Sequence, residues 1–268
     1  MKPELRAAIK QNLRKSIRDY ILRFDSETTQ PLDLLIPKER KIRSIVGGLE
    51  TSMGTRVWEP MARALAENNG FEVIKDKILM PSPMPAELAS ELSTLISLRE
   101  NKSTWLSAEE CKNRLRKVCL KLDTSRIQYI PPPSGTGVDI FLKKNNKYYA
   151  YDTKTVQPNL GSIKGFNKQI LEWYAYGLCK NPNIDLYCAI AFPYNPRQKN
   201  FWDYSPFNKG VLEPHVDALL EDEFWDFLSG LTNTYKYIVE IFEELNEEGF
   251  GKEISYMIDN LILKYQDL

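Results

Sequence analysis

The segment formed by residues 137–154, GVDIFLKKNNKYYAYDTK, constrains the fold of this chain more than any other stretch. Apolar and aromatic residues alternate on both sides of a polar break at residues 143–147, which is the pattern of a β-hairpin. If Asn145 and Asn146 form a two-residue loop, Asp139 lies directly opposite Asp152. The predicted hairpin therefore brings two carboxylates to one face of a sheet.

These facing acids need a partner. Cross-strand Cβ atoms lie about 5 Å apart, and Lys154 follows on the same face, roughly 7 Å beyond Asp152. Two facing carboxylates repel one another unless something binds between them, and a divalent cation is the usual ligand. We therefore predict a metal site at Asp139 and Asp152. The backbone carbonyl of Thr153 is a further candidate ligand, whereas strand parity turns the side chain of Thr153 away.

A solvated hairpin whose acids point to water is the alternative, because Asn-Asn forms a type I′ turn less readily than Asn-Gly. The neighbouring residues favour a central pair of strands instead. One packed face is predicted for the apolar residues Val138, Ile140, Leu142, Tyr149 and Tyr151.

A helical pattern that begins at Lys38 and runs to Leu65 carries a third candidate carboxylate, Glu50. Glycines at positions 47, 48 and 54 surround it, and each costs about 1 kcal/mol in a helix interior. They indicate a close backbone approach or a break in the helix. Glu50 is either an additional metal ligand or an ordinary surface glutamate.

The remaining elements complete a mixed α/β (α+β) core with added helical segments. Ser107 and Glu110 form a capping-box signature at the start of one predicted helix. Helices are predicted over residues 3–24, 86–100, 107–122, 162–179, 215–229, 232–247 and 251–265. Strands are predicted over residues 71–74, 78–80 and 186–192. We expect a single domain of residues 1–268, with its core at 38–80 and 127–210, a helical insert at 81–126 and a helical region at 211–268.

Charge is distributed unevenly along a chain whose net charge is zero. Residues 211–268 carry 3 Lys or Arg and 14 Asp or Glu, whereas residues 1–210 carry 33 and 22. A basic body is compatible with contact to phosphates, and so are solvated helix faces of opposite bias. Candidate phosphate-binding or base-reading residues are Arg56, Lys164, Lys168, Gln169, Arg197 and Lys199, the last two in an aromatic-rich loop at 193–209.

Several classes of site and location are disfavoured. The four cysteines form no CxxC pair and there is one histidine, which argues against a zinc site or a His-based triad. No run of 18 apolar residues occurs, and the first 20 residues are too charged for a secretory signal. We therefore expect a cytoplasmic protein.

Asp139, followed after twelve residues by Asp152-Thr153-Lys154, resembles the PD-(D/E)xK nuclease superfamily. The predicted order of elements is similar to that superfamily's αβββαβ core, with Val138 where a proline is common. The resemblance implies a restriction-endonuclease-like fold. It also implies that the acids bind one or two Mg²⁺ ions and that Lys154 orients or activates the attacking water.

The longer stretch YDTKTVQPNLGSIKGFNKQILEWYAYGL, with GGLETSMGTRVWEPMA upstream, resembles type II restriction endonucleases of the TdeIII-like family over most of residues 40–210. This implies cleavage of double-stranded DNA at a short palindrome, with GGNCC as the associated site. It also implies a homodimer and a cognate DNA methyltransferase in a restriction-modification system. The alternatives are a DNA repair or structure-specific nuclease with the same core, and a DNA-binding protein that does not cut.

Overall fold

The computed structural model describes residues 1–25, 30–155, 158–197, 199–203, 207 and 210–266. Its α-helices are α1 (Pro3–Leu22), α2 (Pro37–Met53), α3 (Glu59–Asn68), α4 (Ala86–Arg99), α5 (Ala108–Cys119), α6 (Leu160–Lys180), α7 (Asp222–Ser229), α8 (Thr234–Glu247) and α9 (Phe250–Gln266). Its strands are β1 (Glu72–Val73), β2 (Met80–Ser82), β3 (Gln128–Ile130), β4 (Ile140–Lys144), β5 (Lys147–Thr153), β6 (Asp185–Phe192) and β7 (Ala218–Leu220). Within these residues, no helix is both long and apolar enough to cross a membrane.

The main sheet has five strands in the order β1-β4-β5-β6-β7. β1, β4 and β5 are antiparallel neighbours, whereas β5, β6 and β7 run parallel. β2 and β3 form a separate antiparallel pair. The expected mixed sheet flanked by helices is therefore confirmed, and α3-β1-β4-β5-α6-β6 reproduces the expected αβββαβ order.

The predicted register of the hairpin is confirmed. Ile140 pairs with Tyr151 and Lys144 pairs with Lys147, which leaves Asn145 and Asn146 as the two-residue loop. Both asparagines have positive φ, 51° and 63°, as a type I′ turn requires. Asparagine tolerates this left-handed region better than most residues, so Asn-Asn suffices where Asn-Gly is the commoner choice.

Two hydrophobic cores lie on opposite faces of the sheet. Helices α4, α5 and α6 cover one face, where Leu95 and Leu115 pack with Ile170. Helices α1, α3, α7 and α8 cover the other face and contact Ile140, Leu142 and Tyr151. Val138 belongs to the first core rather than to the face predicted for it, because it precedes the first paired residue of β4.

The predicted helix at 215–229 is wrong over its first part. Residues Ala218–Leu220 form β7, which extends the sheet parallel to β6. Positive φ at His215 (65°) and Glu221 (47°) separates this strand from its surroundings, and α7 begins only at Asp222. Burial of this apolar segment beside β6 removes more apolar surface from water, and so stabilises the fold more, than a solvated helix would.

Much of the charge asymmetry is satisfied within the chain. Basic residues of α1 face glutamates of α8 and α9: Arg6 contacts Glu240 at 3.2 Å and Lys10 contacts Glu244 at 2.7 Å. Further along α1, Arg18 donates to Glu253 at 2.5 Å. The basic amino-terminal helix is thus a docking element for the acidic carboxy-terminal helices, and most of its charge is paired within the chain.

A fully buried ion pair joins α4 to β7. The guanidinium of Arg99 contacts the carboxylate of Asp217, and neither side chain is exposed to solvent. The backbone N–H of Glu213 also donates to Asp217, at 2.7 Å. Burial raises the pKa of Asp217, while Arg99 and the Glu213 hydrogen bond oppose that rise. This pair ties a helix of the predicted insert to the edge strand of the sheet.

Replacing Arg99 with methionine should destabilise the fold by about 3–5 kcal/mol, because an unpaired carboxylate would remain in the core. Arg114→Met is the matched control, since the Arg114–Glu91 pair is partly exposed and should contribute about 1 kcal/mol or less. Urea unfolding followed by circular dichroism measures both. Equal losses in the two variants would contradict the importance of the buried pair.

Candidate active site

The hairpin brings Asp139 and Asp152 together. Asp139 immediately precedes β4, and its N–H extends the ladder by donating to the carbonyl of Tyr151 at 3.0 Å. Its Oδ2 accepts the N–H of Thr153 at 3.3 Å. The two carboxyl groups are close enough to share a hydrogen bond when one is protonated. The facing arrangement that the register predicted is therefore present.

Asp152 lies at the centre of the site and is only 2% exposed. Its Oδ2 accepts hydrogen bonds from Gln169 Nε2 at 2.8 Å and from Lys154 Nζ at 2.7 Å. Its Oδ1 is buried and has no hydrogen-bond partner within the described residues. Burial raises the pKa of Asp152 and Asp139 raises it further, whereas Lys154 lowers it.

This environment fits a bound cation. A buried carboxylate oxygen without a partner is costly, and a positive ion beside Asp139 and Asp152 would satisfy it. A strand residue directs its N–H and C=O to the same side, so the carbonyl of Thr153 also points towards Asp139. Among the described residues, no three His, Cys, Asp or Glu side chains form a ready-made cluster. Mg²⁺ commonly needs only one or two carboxylates plus substrate phosphates and water.

Glu59, at the start of α3, is a carboxylate that the sequence reasoning missed. It is 7% exposed, and its pKa is raised by burial and by the charge of Asp139. Arg63 Nη2 donates to Glu59 Oε2 at 2.8 Å and to the backbone carbonyl of Asp139 at 2.7 Å. This arginine connects α3 to the residue that precedes β4, so Glu59 is held near Asp139.

Among the described residues, the structure shows no direct contact between Glu50 and the hairpin acids. Glu50 is exposed, and no hydrogen bond or ion pair joins it to Asp139 or Asp152 in the described part of the chain. It lies near Tyr194, whose pKa burial raises and Glu50 raises further. A π-helical turn at Gly54–Trp58 separates Glu50 from Glu59. It changes the angular position of the residues of α3 around the helix axis relative to those of α2. One feature of the sequence could have identified Glu59: it is an acidic residue among the apolar residues Val57, Met61 and Leu65, which are buried.

Three predicted DNA-contacting residues on α6 have partners within the chain. Gln169 is 8% exposed and its amide is bound to Asp152, so it is a support of the site rather than a surface residue. Lys164 contacts Glu100 at 2.5 Å, and Lys168 lies 3.7 Å from Glu172. A neighbouring acid therefore reduces the positive potential that either lysine offers to DNA.

The remaining candidates lie elsewhere on the surface. Arg197 and Lys199 follow β6, and Lys154 follows β5. Because β5 and β6 are parallel, both segments leave the sheet at the same end, where these strands have their carboxyl termini. Arg56 is exposed in the π-helical turn, where its carbonyl accepts the Ser16 hydroxyl at 3.1 Å. Arg197 and Lys199 thus lie in the segment that follows β6, at the end of the sheet where Lys154 follows β5.

Comparison with known proteins identifies the family of the chain. Residues 1–246 match the sequence profile of the family described as type II restriction endonuclease, HinfI. The chain is also 26% identical over 221 residues to the type II restriction enzyme MjaII of Methanocaldococcus jannaschii. That match covers 78% of this chain and 56% of MjaII, so the chain spans little more than half of that relative's length. The resemblance to type II restriction endonucleases is confirmed, and the chain belongs to the HinfI family of these enzymes.

Proposed function

We propose that the chain hydrolyses phosphodiester bonds of double-stranded DNA at a specific sequence, with Mg²⁺ as its cofactor. The observation that carries the proposal is the buried Asp152, which faces Asp139, is bound by Lys154 and keeps one oxygen unsatisfied. Membership of a restriction endonuclease family supports DNA as the substrate. An acid pair with an adjacent lysine is suited to hydrolysis of an anionic substrate.

Asp139, Asp152 and the carbonyl of Thr153 would hold one or two Mg²⁺ ions. A bound ion lowers the pKa of water and neutralises charge that develops on the phosphate. Gln169 and Lys154 both occupy Oδ2 of Asp152, which leaves Oδ1 as the oxygen available to an ion. Glu59 adds negative charge near Asp139, and Arg63 joins Glu59 to the backbone of Asp139. We propose Glu59, rather than Glu50, as the third carboxylate.

Lys154 has the position of a charge stabiliser or proton-transfer group. Its ammonium is held by Asp152 at 2.7 Å and lies 5.7 Å from the centroid of the Phe166 ring. The side chain is partly exposed, so it can reach a substrate phosphate while its stem stays ordered. A neighbouring cation also opposes protonation of Asp152, which keeps that carboxylate available as a ligand.

Recognition and assembly form part of the proposal. Cleavage of both strands of a palindrome needs two sites related by two-fold symmetry, which a homodimer supplies. Arg197 and Lys199 are proposed to contact DNA at the sheet edge, and Arg56, Lys164 and Lys168 at its margins. GGNCC as the recognised site and a cognate methyltransferase both rest on the family resemblance alone.

The first test is Asp152→Asn, which removes the ligand charge but keeps the shape of the side chain. Cleavage of supercoiled plasmid in Mg²⁺ should fall by about a thousandfold or more, since metal-ion stabilisation would be lost. Asp185→Asn is the matched control, because Asp185 is an exposed acid at the far end of β6. Wild-type cutting by Asp152→Asn would show that the site is wrongly assigned.

The second test separates the two glutamates. Glu59→Gln should reduce the cleavage rate more than tenfold, because Glu59 lies beside Asp139, whereas Glu50→Gln should stay within about twofold of wild type. Initial rates at saturating Mg²⁺ and the Mg²⁺ concentration for half-maximal rate should both be measured. A large loss with Glu50→Gln alone would reverse the assignment.

The third test addresses metal dependence and specificity together. EDTA should abolish cleavage and added Mg²⁺ should restore it. The two carboxylates are negatively charged, so a bound metal ion is needed beside them to neutralise the charge that develops on the phosphate. Sequencing the ends of digested DNA should show cuts at one fixed short sequence. Cutting that follows DNA ends or junctions would favour a repair nuclease, and metal-independent retention of uncut DNA would favour a binding protein.

A further inference from the structure

A cavity of about 360 Å³ lies beside the candidate active site. The connection between β1 and β2 covers it, the strands β4 and β5 form one wall, and the carboxy-terminal end of α6 forms another. Its lining residues are Ile74, Asp76, Lys77, Ile78, Leu79, Phe141, Tyr148, Tyr176, Gly177, Lys180, Asn181 and Ile184. Binding sites for small ligands usually have volumes of about 300–1,000 Å³.

Three aromatic side chains give the cavity its chemical character. Phe141 and Tyr148 are half-buried, and their ring centroids lie 5.8 Å apart at an interplanar angle of 32°. Tyr176 contributes a third ring from α6. Two lysines, Lys77 and Lys180, line the cavity and outnumber its one acid, Asp76. A planar apolar ligand that carries negative charge matches this combination best.

The cavity adjoins the catalytic acids through the sheet. Phe141 follows Asp139 by two residues and Tyr148 precedes Asp152 by four, so all four side chains share one face. Two residues along a strand correspond to roughly 7 Å. Phe141 and Ala150, which lies between Tyr148 and Asp152, are opposite one another in the ladder. The aromatic wall therefore begins about one nucleotide's length from the acid pair.

Lys77 lines the cavity and also lies close to Gly137. A methyl group built at Gly137, two residues before Asp139, would be 3.7 Å from Lys77 Nζ. The charge of Lys77 also acts on the carboxyl group of Glu59. Lys77 is exposed, and no ion pair neutralises it among the described residues, in contrast to Lys164. An unpaired ammonium at this position is suited to a phosphate oxygen.

We propose that Lys77 and this cavity form a nucleotide subsite: Lys77 binds the DNA phosphate next to the cleaved one, and the aromatic wall stacks on the unstacked base of that nucleotide. The subsite rests on the proposed function, because its DNA strand runs from the acid pair. Stacking on an aromatic side chain contributes favourable binding free energy for any of the bases, because every base has a π-face. The subsite thus positions the strand without reading its sequence.

The test uses thymidine 3′,5′-bisphosphate as the probe, in EDTA, with binding measured by isothermal titration calorimetry. EDTA removes any contribution from a metal at Asp139 and Asp152. Lys77→Ala and Tyr148→Leu should each weaken binding by about tenfold, because one loses the phosphate contact and the other the stacking surface.

Two neighbouring residues supply matched controls. Lys75→Ala removes an exposed lysine that does not line the cavity, and Tyr149→Leu alters the adjacent tyrosine, which packs on the opposite face of the sheet. Both should bind the probe within about twofold of wild type. Thermal unfolding of all four variants confirms that each is folded at the titration temperature.

The outcomes separate the subsite from the proposed function. Undetectable binding by the folded wild type, or equal weakening in all four variants, would overturn the subsite. Plasmid cleavage measured on the same proteins tests the nuclease separately. Cleavage without probe binding would remove only the subsite, whereas probe binding without any cleavage would count against the nuclease.

Discussion

The antiparallel pairing of β4 with β5 is the constraint on which the rest of the site depends. Its two-residue turn at Asn145 and Asn146 sets the register, and the register decides which side chains share a face. A slip of one residue would move every side chain of one strand to the other face. Asp139 and Asp152 would then separate, and Tyr151 would lose its place in the core.

Helices hold this pair from both faces, and each does so through a polar contact to an acid. From α6, Gln169 fixes one oxygen of Asp152. From α3, Arg63 joins Glu59 to the backbone of Asp139. The site therefore concentrates buried carboxylates that oppose folding until cations or donors surround them. Oδ1 of Asp152 still lacks a partner, so part of the free-energy cost of burying this carboxylate is not offset within the described residues. A metal ion bound at Oδ1 would offset it.

Charge elsewhere in the molecule is largely matched within the chain. The basic face of α1 docks on the glutamates of α8 and α9, and Arg99 and Asp217 neutralise one another in the core. A net count of basic residues therefore overstates the surface that can attract DNA. Lys154 and Lys77 differ from the other basic residues because they lie beside acidic and aromatic side chains.

The sequence alone determined the hairpin, its register, the acid pair with Lys154 and most helices, because these depend on local alternation, turn chemistry and helical periodicity. It could not identify β7, since a three-residue strand is stabilised only by its neighbour β6. The glycines around Glu50 indicated a break in the helix, but only the tertiary structure shows that Glu59, beyond the π-helical turn, lies near Asp139. Tertiary structure also decided the role of Gln169 and the cavity beside Lys77. Both arise where segments distant in sequence pack together, and local patterns carry no information about such distances.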